Sequence, residues 1–199
     1  MLNAGSDTTA LAINNVMFHL LSNPVCLVRL REEIDLVMNA GEDVAAYDTV
    51  RHLPYLRACL DESLRLTPPT TFGLPRRTPP EGFRILDEWI PGDTTVSISA
   101  YVAHRDPVVF PDPECYLPER WLGEKGKELQ PYFLSFSAGA RGCIGRNISY
   151  LEQTVLLATV LHRYEFALPY TGWQQHRYET FNLMAGEMPL KVWKRQPAT

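Results

Sequence analysis

Cys143 stands between glycines in the run FSAGARGCIGR, residues 136–146, just ahead of a long apolar-periodic segment. The glycines there, Gly139, Gly142 and Gly145, admit backbone conformations and close approaches that other residues cannot make. A thiol at the start of the following helix meets free N–H groups and the positive end of the helix dipole, and both favour the thiolate. Such a thiolate can act as a nucleophile or as a metal ligand. A nucleophile works beside a base, and no histidine lies near Cys143 in sequence; His19, His52, His104, His162 and His176 are scattered and suit helical or surface roles. Metal ligation is the preferred reading, and one thiolate without partner ligands points to a metal already held by a macrocycle. The plain alternative is a small buried residue at a helix start, a common place for cysteine.

Two other groups carry chemistry-capable side chains. Glu62 and Arg65 lie three apart on a predicted helix, a spacing that on a solvated face is worth only ~0.2–0.5 kcal/mol. Leu56, Leu60 and Leu64 line the opposite side, and Ala58, Cys59 and Leu66 flank the pair. Little of that helix is left for water, so the two ions need further partners in the interior. The stretch AGSDTT, Ala4 to Thr9, sets an acid, Asp7, beside an alcohol, Thr8. On its own it reads as a helix start with capping residues. Thr8 is placed to bond back to the carbonyl of Ala4 and open the helix locally.

The elements that must position these groups follow from periodicity. A first helix spans about Asn3 to Ser22, with Ala10, Ile13, Val16, Met17, Leu20 and Leu21 at helical spacing, and stops at Asn23-Pro24. Pro24 opens a second helix with Leu27, Leu30, Ile34, Val37 and Met38 on one face. Pro54 opens a third, running through Leu66. Between Thr70 and Pro118 the chain turns proline-rich, with β-prone runs at Phe83–Leu86 and Thr95–Ala100. Gly123 to Glu128 reads as a polar loop. A long helix covers about Ile144 to Tyr164, aligning Ile148, Leu151, Val155, Ala158 and Leu161, and a hairpin is predicted over Phe181–Trp193, turning at Ala185-Gly186-Glu187. The order predicts a mainly α fold with a minor β part.

Composition sets the outer bounds. The chain has 199 residues, 45% of them hydrophobic and 21% charged, as in an ordinary globular protein. A formal net charge of −4 argues against a nucleic-acid partner. No apolar run is long enough to span a bilayer, and the first residues lack the basic-then-apolar pattern of a signal peptide. Cys26, Cys59, Cys115 and Cys143 are irregularly spaced, indicating neither a disulfide framework nor a zinc site and fitting a reduced, cytosol-facing environment.

Phe136, Gly139, Arg141, Cys143 and Gly145 together match the pattern FxxGxRxCxG. Five fixed positions in ten residues match by accident in roughly one window in millions at ordinary residue usage. With this run the chain resembles the C-terminal half of the cytochrome P450 family, the haem-thiolate monooxygenases, and it looks most like fungal members. Other family signatures follow in the right order. Glu62 and Arg65 match ExxR, and Arg120 in Pro118-Glu119-Arg120-Trp121 matches the third member of that structural trio, with Trp121 where the family usually has Phe. AGSDTT matches the oxygen-activation motif of the long distal helix.

The resemblance implies haem b with Cys143 as its axial ligand and metal-binding residue. Phe136, Gly139, Arg141 and Gly145 would form the binding loop, and Arg141 with Arg76, favoured over Arg77, would meet the haem propionates. Asp7 and Thr8 would be the catalytic pair that delivers protons, with Gly5 leaving room for dioxygen. Ala4, Phe72, Phe181 and Leu183 would face an apolar substrate. His104-Arg105-Asp106-Pro107 resembles a family stretch to which local packing and a propionate contact are assigned. The implied reaction is monooxygenation of a small apolar organic molecule, with electrons from NADPH through a cytochrome P450 reductase, in fungal secondary metabolism or aromatic oxidation.

AGSDTT lies past the midpoint of a complete family member, so residues 1–199 are expected to be a truncated P450 domain without the membrane anchor and the front half. Complete fungal relatives are expected at the endoplasmic reticulum, anchored and facing the cytosol. One alternative is a non-catalytic remnant, or a half-domain that needs a complementary N-terminal polypeptide as a separate chain. A haem-thiolate isomerase or dehydratase is another, against which the intact Asp7 and Thr8 stand.

Overall fold

The structure, a computed structural model, describes residues 2–39 and 41–195. Four helices carry the core. Helix α1 runs Leu2–Ser22, α2 Pro24–Asp35, α4 Pro54–Leu66 and α7 Arg146–Arg163, with a short α3, Tyr47–Val50, between α2 and α4. Their apolar faces meet in one cluster that includes Val16, Leu20, Leu30, Ile34, Leu56, Leu60, Leu157 and Leu161, each 0–1% exposed. Helix α1 is buried on several sides along its middle, as its composition predicts, although Ala10 faces outward. Prolines at the first positions of α2 and α4 explain their sharp starts, since proline lacks an N–H that would be orphaned there anyway.

Among the described residues the β part consists of four small antiparallel pairs. Strand β1, Arg76–Arg77, pairs with β4, Thr95–Val96; β2, Phe83–Ile85, pairs with β3, Glu88–Ile90. After α5, Ala100–Ala103, the chain forms a 3-10 turn at Pro118–Trp121 and helix α6 at Gly123–Leu129. Strand β5, Tyr164–Ala167, leaves α7 and pairs with β8, Lys191–Lys194, while β6, Arg177–Glu179, pairs with β7, Leu183–Ala185.

Three elements differ from the sequence expectation. The polar segment from Gly123 is helical because Glu124, Lys125, Lys127 and Glu128 are good helix formers and Leu129 docks in the core. Its Gly126, which reads as a loop residue, is a packing residue: a Cβ there would stand 2.0 Å from the Trp121 carbonyl oxygen. The terminal hairpin turns at residues 180–182, not at Ala185-Gly186-Glu187, and pairs Arg177 with Ala185. Gly186 instead donates its N–H to His176 O, extending the ladder, and the last strand crosses to β5. In α7 the buried face is Tyr150, Gln153, Thr154, Leu157, Ala158 and Leu161, leaving Ile148 64% and Leu151 42% exposed. One polar member of this face has its partner on α4, the Tyr150 hydroxyl donating to Asp61 Oδ1 at 2.5 Å.

Candidate haem-thiolate site

Eight of the residues singled out by sequence line one cleft of ≈ 860 Å³, between the N-terminal turns of α1, the chain after α4, the β1–β4 pair and the loop before α7, whereas Asp7, Gly139 and Gly145 are not among its lining residues. Cys143, Phe136, Arg141, Arg76, Thr8, Ala4, Phe72 and Phe181 all line it. Leu183 does not. It borders a second cavity instead, and its N–H is held by Pro69 O at 2.8 Å.

The Cys143 loop is fixed from within. Cys143 donates its N–H to Phe136 O at 2.8 Å, and Gly142 donates to Gly139 O at 3.0 Å, closing a tight double turn. Gly139 has φ +67°, the left-handed region that glycine enters without strain. The Cys143 side chain is exposed, and α7 begins three residues later at Arg146. A Cβ on Gly145 would stand 3.9 Å from the Cys143 sulfur and take up space beside it.

Beneath this loop lies a closed polar network. Arg65 grips Glu62 with two parallel bonds, Nε to Oε2 at 2.8 Å and Nη2 to Oε1 at 2.9 Å. Arg120 Nε adds a third at 3.0 Å, and Leu117 N–H a fourth at 2.9 Å. Trp121, the departure from the family pattern, donates its indole N–H to Glu62 Oε2 at 2.8 Å, a bond phenylalanine cannot make. The remaining Arg65 donors reach the carbonyls of His104, Pro113 and Cys115. Charges this deeply buried persist only when every donor and acceptor is matched.

His104 carries the network to the loop. It is fully buried; its Nδ1 donates to Arg65 O at 3.1 Å, and its Nε2 accepts the Leu134 N–H at 2.8 Å. Burial lowers its pKa to about 4, with nearby Arg65 and Arg105 adding to the effect, so the ring is neutral at pH 7. Both ring nitrogens are committed, and the expected propionate contact is excluded for this residue. Ser135 Oγ bonds Leu64 O at 2.8 Å, a second tie between α4 and the segment ahead of Phe136.

On the opposite wall Thr8 Oγ1 donates to Ala4 O at 2.6 Å, the back-bond expected from sequence. Asp7 is exposed, and a Cβ on Gly5 would meet nothing within 4 Å. Of the two adjacent arginines, Arg76 faces the cleft, with Nη2 3.5 Å from Ser137 Oγ, whereas Arg77 turns to Asp93 at 3.6 Å. Successive strand residues point to opposite faces, which separates them. Sequence reading missed Ser149 and Ile98 as lining residues. Ser149 sits six residues after Cys143, on the first turns of α7, a signal that was available.

The donor set fits a metal that brings its own ligands. Among the described residues no three His, Cys, Asp or Glu side chains come together to hold a bare ion. The cleft instead offers one soft sulfur, walls of Ala4, Ala12, Leu64 and Phe136, and two guanidinium groups at its rim. That combination suits an apolar, planar macrocycle bearing carboxylates.

Comparison with known proteins agrees. The family model for cytochrome P450 matches residues 1–192. The cytochrome P450 monooxygenase aneF of Aspergillus aculeatus is 40% identical over 165 residues, covering 83% of this chain and 33% of that protein. The monooxygenase cicH of Emericella nidulans is 38% identical over 203 residues, covering 100% of this chain and 41% of that protein. A crystal structure of a cytochrome P450 (CYP102L1) superposes with a TM-score of 0.88 at 29% identity, over 98% of this chain and 44% of that one. The chain belongs to the cytochrome P450 family. It has a partial P450 fold, spanning 33–41% of the length of these two fungal relatives.

Proposed function

We propose that this chain carries the haem-binding wall of a monooxygenase that inserts one atom of dioxygen into a small apolar organic substrate. The observation that carries the reading is the meeting, in one cleft, of the Cys143 sulfur with Thr8, Arg76 and Arg141. Cys143 would be the axial ligand of haem b, its amide already tied to Phe136 O. Haem, when bound, supplies the redox chemistry that activates dioxygen. Arg76 and Arg141 would hold the macrocycle by its carboxylates, each guanidinium offering a fork of donors. Thr8 donates its own proton to Ala4 O, which leaves the Oγ1 lone pairs free to accept a hydrogen bond from water in the cleft. Asp7, exposed next to it, would hand protons from solvent to that water. Phe72 and Phe181 would exclude bulk water and orient the substrate.

Electrons would come from NADPH through a cytochrome P450 reductase, and the reaction would serve fungal secondary metabolism or aromatic oxidation. Among the described residues no single helix is long and apolar enough to cross a membrane, and the endoplasmic reticulum is proposed by analogy with complete fungal relatives. The test is spectroscopic. Loaded with haem, reduced and exposed to carbon monoxide, the chain should show the strongly red-shifted band of thiolate ligation, and Cys143→Ser should abolish it. An unchanged band in the serine variant would overturn the assignment.

A second reading rests on the apolar surface around the cleft, where Phe72 is 56%, Phe181 62%, Ile98 65% and Ile144 92% exposed. Surface of this kind favours a half-domain that turns over only when a complementary N-terminal polypeptide covers it. Turnover by the chain alone, equal to that of the chain plus a co-expressed N-terminal half from a relative, would exclude this reading.

A further inference from the structure

We propose that Asp61, Tyr150 and Arg57 form a positioning unit for the thiolate loop, fixing from below where the Cys143 backbone lies. The proposal rests on the reading of Cys143 as the haem ligand. Asp61 and Glu62 are neighbours on α4, and both are buried, at 2% and 0% exposed. They serve different parts of the fold. Glu62 is committed to the segment 117–121, whereas Asp61 turns to α7 and accepts the Tyr150 hydroxyl at 2.5 Å.

Arg57 completes the unit. Its Nε lies 3.1 and 3.0 Å from the two Asp61 oxygens, and its guanidinium stands 3.6 Å over the Tyr150 ring. The tyrosine is thus held at its hydroxyl and on its face, and cannot slide. Its ring packs 5.0 Å from that of Phe136, with the Arg146 guanidinium 5.8 Å from the Phe136 ring and 5.9 Å from the Tyr150 ring. Phe136 supplies the carbonyl that accepts the Cys143 N–H. A continuous path of contacts therefore runs from a buried carboxylate through two aromatic rings to the amide of the ligand residue. Burial raises both the Asp61 carboxyl and the Tyr150 hydroxyl above their ordinary values, so each group depends on its partner for the hydrogen bond it has lost to water. Nothing in the proposed proton or substrate chemistry uses these three residues.

Tyr116 offers an internal control. It is also buried and also hydrogen-bonds α4, through Cys59 O at 2.9 Å, but its ring packs on His19 and not on Phe136. Full-length chain is prepared as Tyr150→Phe, Asp61→Asn and Tyr116→Phe. Hydrogen exchange at the Cys143 amide is measured without haem, and the carbon-monoxide band is measured with haem. In Tyr150→Phe and Asp61→Asn, exchange at Cys143 is expected to rise at least tenfold, and at least half of the thiolate-type band should be lost. Tyr116→Phe is expected to lower the unfolding midpoint and leave both readouts within twofold of the parent. The proposal fails if Tyr150→Phe matches the parent in exchange, or if Tyr116→Phe moves it as much. Should Tyr150→Phe not fold, Asp61→Asn, which removes the charge that holds Arg57 against the Tyr150 ring, decides on the same readouts. The exchange result stands whatever the spectrum of Cys143→Ser shows, so a failure of the ligand assignment is distinguishable from a failure of the positioning unit.

Discussion

Glu62, Arg65 and His104, in the wall behind the Cys143 loop, have no exposed surface, whereas Phe72 and Phe181, which line the cleft, are 56% and 62% exposed. The first wall is closed by hydrogen bonds that stay within the chain: Glu62 alone meets Arg65, Arg120, Trp121 and the Leu117 amide. The second wall offers an exposed acid, Asp7, and an alcohol that makes a local back-bond, Thr8 to Ala4. The closed wall is intolerant of losing any one partner, because an uncompensated buried charge would remain, and the open one presents its groups to the cleft and to solvent. A substitution should therefore declare its side by what it damages.

Glu62→Gln is the severest way to challenge that division. It keeps volume and one carbonyl but leaves Arg65 and Arg120 buried without their counter-charge. Removing one partner of a buried ionic network costs about 3–5 kcal/mol. Urea unfolding should show that loss, or no cooperative transition at all. A cost below about 1 kcal/mol, the scale of an exposed pair, would mean that the trio does not hold α4 to the segment 117–121.

Acid is the next largest probe of the closed wall. Burial lowers His104 to about 4 and His19 to about 3, both below the ordinary 6.5. Each ring stays neutral in the folded chain while the unfolded chain takes up a proton below pH 6.5, so stability is fully present above that pH and lost as the pH falls. Between pH 7 and 5 each histidine should remove about 2 kcal/mol. The unfolding midpoint should drop across this range, and His19→Gln should remove about half of the dependence. A midpoint that is flat from pH 7 to 5 would show that these rings are not shielded as the structure has them.

The two walls were also unequally readable in the sequence. Cys143, Thr8 and the Glu62–Arg65 pair announce themselves because their spacing is local, within one loop or one helix turn. The partners of Glu62 were only half legible. Arg120 could be expected from its own short pattern, but the Trp121 indole and the Leu117 amide arrive by tertiary folding across more than fifty residues. The scatter of the histidines suits His104 to a helical or surface role, whereas both of its nitrogens are committed in the interior. Strand β8 was misread for a related reason: its partner β5 lies some 25 positions upstream, and no local turn signal encodes that pairing. Leu183 is expected in the cleft only by family position, and nothing local in the sequence tells that it borders the second cavity instead.

Thr8→Val sharpens the comparison from the open wall, and its effect on stability is the smallest expected. Valine matches threonine in shape and in β-branching, so it removes a hydroxyl and little else. The lost bond runs from a partly exposed side chain to a carbonyl four residues back in its own helix, a type of bond that contributes little to folding and slightly disfavours a straight helix. The unfolding free energy should stay within about 0.5 kcal/mol of the parent. Product formation by the haem-loaded protein should nonetheless fall by about 10²-fold, the scale of a lost proton-transfer group. The two readouts must part company for the division to hold. If Thr8→Val costs as much stability as a change in the closed wall, the distal turn is a structural element and the motif there owes its residues to folding. If stability and product formation both remain at parental levels, the hydroxyl at position 8 moves no proton, and Asp7 would have to reach the cleft by another route.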